Sequence, residues 1–229
     1  MDVGLFIAAS GMVAEQARQD QLSNDLANAS TPGYKPDSTP AHSFGELLLE
    51  NSAGQPVGSV STGVALGQSY TDMAPAAMQT TNEPLDFGIV GVGFFGVRTP
   101  QGVRYTRDGQ FATSAQGLLV DNSGDEVLSQ AGAPIKVGAD GTVPTGALGV
   151  FNVPGALKQG ENLFAGAATG QAPGTVRSGV LEESGVDPAK VMVEMMGSLR
   201  TFQSGQQAIQ AIDETLQEAA SQVGSLTGS

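Results

Sequence analysis

The sequence predicts an α+β protein in which N- and C-terminal helices pair as a coiled-coil stalk, with a central irregular all-β domain and an extended arm. Two observations predict the stalk: apolar residues at a seven-residue step near the C-terminus, and a second apolar stripe near the N-terminus. A third, short alternating segments separated by turns, predicts the β domain. The expected segments are an N-terminal helix in 1–34, an arm in 35–79, the β-rich domain in 80–178 and a C-terminal helix in 179–229.

The C-terminal helix is predicted by a heptad pattern with marked ends. Pro188 follows the capping residue Asp187 and suits the first helical position, and Gly224 marks the expected end. Gly197 and Gly205 each cost about 1 kcal/mol relative to alanine, so this helix needs a partner for its stripe. The stripe consists of Met195, Phe202, Ile209, Leu216 and Val223, flanked by Met192, Leu199 and Ile212.

The N-terminal helix is predicted over residues 3–29 by a weaker stripe of Leu5, Met12, Leu22 and Leu26. Pro32 ends it, because a residue before proline is displaced from the helical region. The pattern alone fits a surface helix on a globular core equally well. Paired with the C-terminal helix, however, both stripes are buried as a two-helix coiled coil.

The arm, from Lys35 to about Gln79, is rich in Gly, Ser, Thr and Pro and has few apolar positions. A structureless loop of this length is unusual in a compact domain. We therefore expect an extended arm with some strand pairing, able to lie on neighbouring molecules.

The β-rich region runs from Leu85 to about Leu163 and contains no alternating helical segments. A strand with Val103 and Tyr105 is expected to turn back into a strand with Phe111 and Thr113. Residues 165–178 are expected to form a flexible return. Tight turns are predicted at Asp108–Gly109, Asn122–Gly124 and Asp140–Gly141.

The composition excludes several partners and chemistries. A net charge of −13 argues against nucleic acid and anionic membranes, both of which need a basic surface. The absence of cysteine excludes disulfides and thiol chemistry. No apolar run is long enough to cross a bilayer, and the N-terminus lacks the positive leader of a cleavable signal peptide, so export would use another route.

The candidate chemical motifs do not form an active site. Gly91–Gly96 matches G-x-G-x-x-G, but a strand and turn follow where a nucleotide site requires a helix N-terminus. His42 is the only histidine, and Asp121–Asp125 lacks the glycine and closing glutamate of a calcium loop. We predict no catalytic, cofactor or metal site.

Motifs across the chain resemble the bacterial flagellar basal-body rod and hook protein family. The N-terminal block is the most specific, and it departs from the usual pattern at Asp25. Gly185 and Leu199 replace the usual Asn and Gln. The blocks that carry the resemblance are Ser10–Met12, Leu22–Lys35, Pro84–Phe87, Gly93–Phe95, Tyr105–Gly109, Gly160–Phe164, Gly179–Asp187, Glu194–Met195, Phe202 and Ile212–Glu214.

The resemblance implies a rod subunit, exported unfolded through the flagellar type III apparatus and located in the basal body. Its terminal helices would be polymerisation segments, commonly disordered in the monomer, that assemble head-to-tail with copies and other axial proteins into a hollow, torque-transmitting filament. The stalks would pack into the inner tube, with the β domain outside. The interface residues expected from this are Leu22, Asn24, Leu26, Asn28, Pro32, Gly33, Tyr34, Met195, Leu199, Phe202, Ile209, Ile212 and Leu216.

Three alternatives stay open at the level of sequence. One is a hook subunit of the same family, and another is a secreted β-domain binding module on a coiled-coil stalk. The third is a carboxylate-based hydrolase, which needs two acids of the β domain, such as Asp86, Asp108 or Asp121, to converge on a pocket.

Overall fold

The computed structural model describes residues 2–43, 45–50, 56–61, 63–160 and 162–226. The sequence-motif residue Glu161 and the side chain of the stripe residue Val223 lie outside the described residues. Helix α1 spans Asp2–Ala27 and helix α2 spans Pro188–Leu226, two residues beyond the predicted stop at Gly224. The predicted order of N-terminal helix, central β-rich region and C-terminal helix is confirmed. Among the described residues, neither helix is long and apolar enough to cross a membrane.

The strands between the helices are short. They are β1 (Asp37–Ser38), β2 (Ala41–Ser43), β3 (Glu46–Glu50), β4 (Pro56–Ser61), β5 (Val64–Leu66), β6 (Tyr70–Thr71), β7 (Met78–Thr80), β8 (Phe87–Val90), β9 (Phe94–Thr99), β10 (Gly102–Thr106), β11 (Ala112–Thr113), β12 (Leu119–Val120), β13 (Glu126–Leu128), β14 (Val150–Phe151), β15 (Leu157–Lys158), β16 (Leu163–Ala165), β17 (Thr175–Ser178) and β18 (Val180–Glu182), with a 3₁₀ turn at Thr145–Ala147.

The chain divides into two compact units. The first, the helical unit, contains Met1–Leu26, Asp37–Tyr70 and Pro188–Ser229. The second, the β unit, contains Ala27–Pro36 and Thr71–Asp187. The segment predicted as one arm is thus shared: Asp37–Tyr70 belongs to the helical unit, whereas its first two residues and residues 71–79 belong to the β unit.

The β unit is built on an antiparallel sheet in the order β11-β12-β13-β9-β10-β16-β15, with β14 also paired to β9. Separate two-stranded pairs join β17 to β8 and β18 to β7. The central strand β9 is buried at Phe95 and Val97, because its side chains pack into a cluster with Phe87, Phe111 and Leu119. A smaller cluster contains Phe94, Tyr105, Val153 and Phe164.

The predicted hairpin turn at Asp108–Gly109 is wrong. Strand β10 instead pairs with β9 through a turn at residues 100–101, and β11 pairs with β12. Gly109 serves close backbone packing: a Cβ there would lie 1.6 Å from the carbonyl oxygen of Phe87, whose amide donates to Gly109 O at 3.0 Å.

The other turn predictions had mixed outcomes. The Asn122–Gly124 turn is confirmed, since β12 and β13 are antiparallel and Gly124 N donates to Asp121 O at 3.0 Å. A turn also forms at Gly141, whose amide donates to Gly138 O at 2.9 Å, but no named strands flank it. The predicted flexible return is wrong for its last part, because β17 pairs with β8 along its whole length.

In the helical unit, the residues between α1 and α2 form nested antiparallel pairs, β2 with β5 and β3 with β4. This part of the arm contacts α1 of the same chain. Val64 N donates to Ser10 Oγ at 3.2 Å, and Gln21 Nε2 donates to Asp37 O. The expected strand pairing is present, and these contacts are intramolecular.

Candidate functional site

The two helices of the helical unit run antiparallel, and residues 194–212 of α2 contact residues 4–18 of α1. Ser198 Oγ donates to Glu15 Oε2 at 2.6 Å, and Arg18 pairs with Glu194 at 3.6 Å. Gly205 permits close approach, since a Cβ there would lie 2.8 Å from Met12 Cγ. Towards the start of α1, a Cβ at Gly4 would contact Ile212 at 3.8 Å.

The face of α2 that contacts α1 contains most of the predicted stripe. Phe202, Ile209, Ile212 and Leu216 are half-buried, as is Met195. On α1, Leu22 is buried and Leu26 is half-buried, whereas Asn24 is exposed. The half-buried stripe residues of α2 lie on the same side of that helix as Ser198 and Gly205, which contact α1.

Leu199 departs from the expected position. Its side chain is 47% exposed, and the neighbouring Ser198 is buried against α1 instead. The physical reason is the Ser198–Glu15 hydrogen bond, which needs a short hydroxyl side chain at the contact. Leu199 lies on a different face of α2.

That face forms a second apolar surface, which we call the outer α2 face. It consists of Met192, Val193, Met196 and Leu199, which recur at helical spacing and are all exposed. Helix α1 also exposes Leu5, Phe6 and Val13. Clustered exposed apolar side chains of this kind are typical of protein interaction surfaces.

The remaining predicted interface residues lie in the β unit, where they join its two chain ends. Gly33 N donates to Glu182 O at 2.8 Å, and Gly185 N donates to Tyr34 O at 2.9 Å. Ser184 Oγ donates to Asn28 O at 3.0 Å. The chain therefore enters and leaves the β unit side by side.

The predicted residues Pro32, Gly33 and Tyr34 are held by the body of the β unit. Asn162 Nδ2 donates to Pro32 O at 2.7 Å, and Lys158 Nζ lies 3.9 Å from the centre of the buried Tyr34 ring. Gly33 adopts φ +65, and a Cβ there would lie 2.4 Å from the Arg107 carbonyl carbon. Only glycine fits this position.

Directly after this loop lies a buried ionic cluster, which we call the ion lock: Lys35, Arg107 and Glu182, exposed by 1%, 5% and 1%. Lys35 Nζ is 2.7 Å from Glu182 Oε1, and Arg107 Nη1 is 3.1 Å from Glu182 Oε2. Two cations thus share one carboxylate. Removing a partner from a buried ion pair typically costs about 3–5 kcal/mol.

Backbone groups complete the ion lock. Lys35 Nζ donates to Ala74 O at 2.6 Å, and Arg107 Nη2 donates to Gly91 O at 2.8 Å. Ala76 N donates to Glu182 Oε1 at 3.0 Å. These hydrogen bonds offset the cost of burying the three charges, although Arg107 Nε is buried without a hydrogen-bond partner.

Two of the three acids named for a hydrolase, Asp121 and Asp108, accept hydrogen bonds from neighbouring backbone amides. Asp121 Oδ1 accepts from the amides of Ser123 and Asp125, and Asp108 Oδ1 accepts from Gln110 N. Burial raises the pKa of Asp108 to about 6, with smaller contributions from Asp121 and Asp86. Within the described part of the chain, no group of three or more His, Asp or Glu residues is arranged to hold a metal ion.

Comparison with known proteins gives three family matches along the chain. Residues 5–35 match the flagella basal body rod protein model, 88–150 match the flagellar hook protein FlgE/F/G D1 domain, and 177–222 match the flagellar basal body rod FlgEFG protein C-terminal model.

Whole-chain relatives agree with these matches. The flagellar hook-basal body complex protein FlhO of Bacillus subtilis (strain 168) is 30% identical, with 97% of this chain and 99% of the relative covered. The chain belongs to the flagellar basal-body rod and hook protein family. FlgF of Mesorhizobium japonicum is 29% identical (98% and 99% covered), and FlgG of B. subtilis is 31% identical (93% and 96% covered), both described as flagellar basal-body rod proteins.

The ion lock draws one residue from each of the three family-matched stretches. Lys35 belongs to the first, Arg107 to the second and Glu182 to the third. Sequence reasoning quoted all three only as parts of motifs. Their pairing could not be found from spacing, because it joins residues 147 positions apart.

Proposed function

We propose that this chain is a structural, non-catalytic subunit of the flagellar basal-body rod, which polymerises head-to-tail through its terminal helices into a hollow axial filament that transmits torque. Family membership supports the rod assignment. The relatives named as basal-body rod proteins are covered almost completely by this chain.

The observation that carries the assembly mechanism is that α2 has two apolar faces. One face contacts α1 in the same chain, which supports pairing of the helices as a coiled-coil stalk. The outer α2 face stays exposed and is available to a neighbouring subunit. Contacts between two different surfaces of identical subunits produce an open helical filament when the rotation between successive subunits does not close into a ring.

The proposed partners are copies of this chain and other flagellar axial proteins, with export through the flagellar type III apparatus. In this proposal the rod lies in the basal body, beyond the inner membrane, and the subunit does not insert into a membrane. The helices become fully ordered only on assembly, because burial of the outer α2 face then offsets the entropy of ordering a glycine-containing helix.

The test is Met196→Asp in the cell that makes the rod. Met196 is 54% exposed, so a charge there is tolerated in the free chain but not in a packed filament. We expect normal secretion and loss of incorporation into isolated basal bodies. Thr201→Asp, at an exposed position about 140° around α2 from Met196 and off the outer α2 face, is the matched control and should incorporate normally.

Phe202→Asp and Leu26→Asp test the coiled-coil stalk itself and should likewise permit secretion while abolishing assembly. Normal basal-body incorporation of Met196→Asp would reject the outer α2 face as an assembly surface. Fractionation of basal bodies also distinguishes rod from hook, the alternative that the shared FlgE/F/G family model favours, by the substructure in which the protein is recovered.

A further inference from the structure

Residues Ala27–Pro36, which we call the motif loop, pack as part of the β unit. Tyr34 and Lys35 are almost fully buried, so their side chains are not available to a neighbouring subunit. Two backbone–backbone hydrogen bonds and one from the Ser184 hydroxyl to Asn28 O join Ala27–Pro36 to Glu182–Gly185. We propose that the ion lock fixes Ala27–Pro36 onto the β unit in the free subunit, so that both chain exits are held side by side before assembly.

The charge arrangement supports this role for Glu182. It is the single carboxylate between two buried cations, one from the motif loop and one from the residue after β10. Its backbone oxygen also accepts from Gly33 N at 2.8 Å, so backbone and side chain of one residue hold the same loop. Loss of this carboxylate leaves two buried cations without an anion.

Lys35 and Arg107 make unequal contributions to the junction. Lys35 ties the loop to Glu182 and to Ala74 O, whereas Arg107 also binds Ile89 O and Gly91 O inside the β unit. Without Lys35, Glu182 keeps Arg107 as a neutralising partner. Removing the Lys35 ammonium group should therefore weaken only the attachment of the motif loop. Removing the Glu182 carboxylate should weaken that attachment and also the contact between Glu182 and Arg107.

Amide hydrogen exchange on the free, full-length chain tests the lock. In the unmodified chain the amides of Gly33 and Gly185 should be protected to a degree similar to those of β9 and β10. Glu182→Gln should speed their exchange by about 100-fold or more, since loss of a buried ionic partner lowers the local opening free energy. Glu183→Gln, at the exposed neighbouring position, is the matched control and should change neither amide.

Lys35→Met is a second variant, which tests the ion lock even if Glu182→Gln unfolds the whole β unit. It should speed exchange at Gly33 and Gly185 while leaving β9 and β10 protected. The proposal is overturned if these two amides exchange at unprotected rates in the unmodified chain, or if Lys35→Met leaves their exchange unchanged.

The ion lock itself does not depend on the proposed rod function. Only the statement that the lock forms before assembly rests on that proposal. All of these measurements use unassembled protein, so they report on the lock even if the rod assignment fails. Failure of Met196→Asp to block incorporation would affect only the assembly mechanism.

Discussion

The β unit and the helical unit differ in how far a single chain buries their large apolar side chains. The β unit buries its aromatic side chains and satisfies its interior charges with the ion lock. The helical unit leaves Phe6, Val13, Met196 and Leu199 exposed. Under the proposed rod function, the β unit would be complete within a single chain and the helical unit would be completed by neighbouring subunits.

The largest expected contrast comes from matched aromatic truncations. Phe95 is fully buried in the β unit, so Phe95→Ala should lower the free energy of unfolding by about 3–5 kcal/mol. Phe202 is half-buried on α2, and Phe202→Ala should cost about 1 kcal/mol in the free chain. Urea denaturation followed by circular dichroism measures the unfolding free energy of both variants. Equal losses would contradict the difference between the two units.

A second test compares Gly33 of the motif loop with Gly117, which lies between β11 and β12: both have a positive φ, but their surroundings differ. Gly33→Ala forces a Cβ against the Arg107 backbone and should cost at least about 2 kcal/mol more than Gly117→Ala. Gly117 has φ +74 and open space around it, so its substitution should cost only about 1 kcal/mol. Thermal unfolding of both variants gives the difference. Equal values would show that Gly33 is not packed against Arg107 in solution.

A third test uses the pH dependence of the β unit. Because the pKa of Asp108 rises from 3.8 to about 6 on folding, the folded state binds this proton more tightly than the unfolded chain does. Ionised Asp108 therefore destabilises the fold increasingly as pH rises from about 4 to about 6. Asp108→Asn should raise stability at pH 7.5 by about 1–3 kcal/mol, and this gain should vanish below pH 4.

Asp140→Asn is the control of opposite sign for the pH experiment. Hydrogen bonds from Thr142 lower the pKa of Asp140, so its carboxylate contributes stability at neutral pH that is lost as pH falls through the folded pKa, below 3.8. The variant should be slightly less stable than the unmodified chain at pH 7.5. An Asp108→Asn gain that persists at pH 3.5 would contradict the burial argument.

The smallest expected effect concerns helix propensity in α2. A Cβ at Gly197 meets no atom within 4 Å, so Gly197→Ala should stabilise the helix by about 1 kcal/mol and raise the helical circular dichroism of the free chain. At Gly205 the same gain is offset by contact with Met12. A loss of helicity in Gly197→Ala would show that α2 needs flexibility at this glycine.

The sequence correctly predicted features that depend on a repeated spacing or on adjacent residues. The heptad spacing from Met195 to Leu216 identified α2, and the Asn122–Gly124 turn was correctly placed because turn chemistry depends on adjacent residues. It misassigned Gly109, whose role depends on the approach of the distant Phe87 backbone. It missed the ion lock for the same reason, and it placed Leu199 on the helix contact because a heptad cannot reveal that Ser198 bonds to Glu15.

Limited proteolysis of the free chain, followed by mass spectrometry, tests most directly whether only the β unit is complete on its own. The expected result is early loss of α1 and α2, with a resistant core that retains Ala27–Pro36 together with Thr71–Asp187. Survival of both helices for as long as the β unit would contradict the account and would indicate a stable stalk in the unassembled protein.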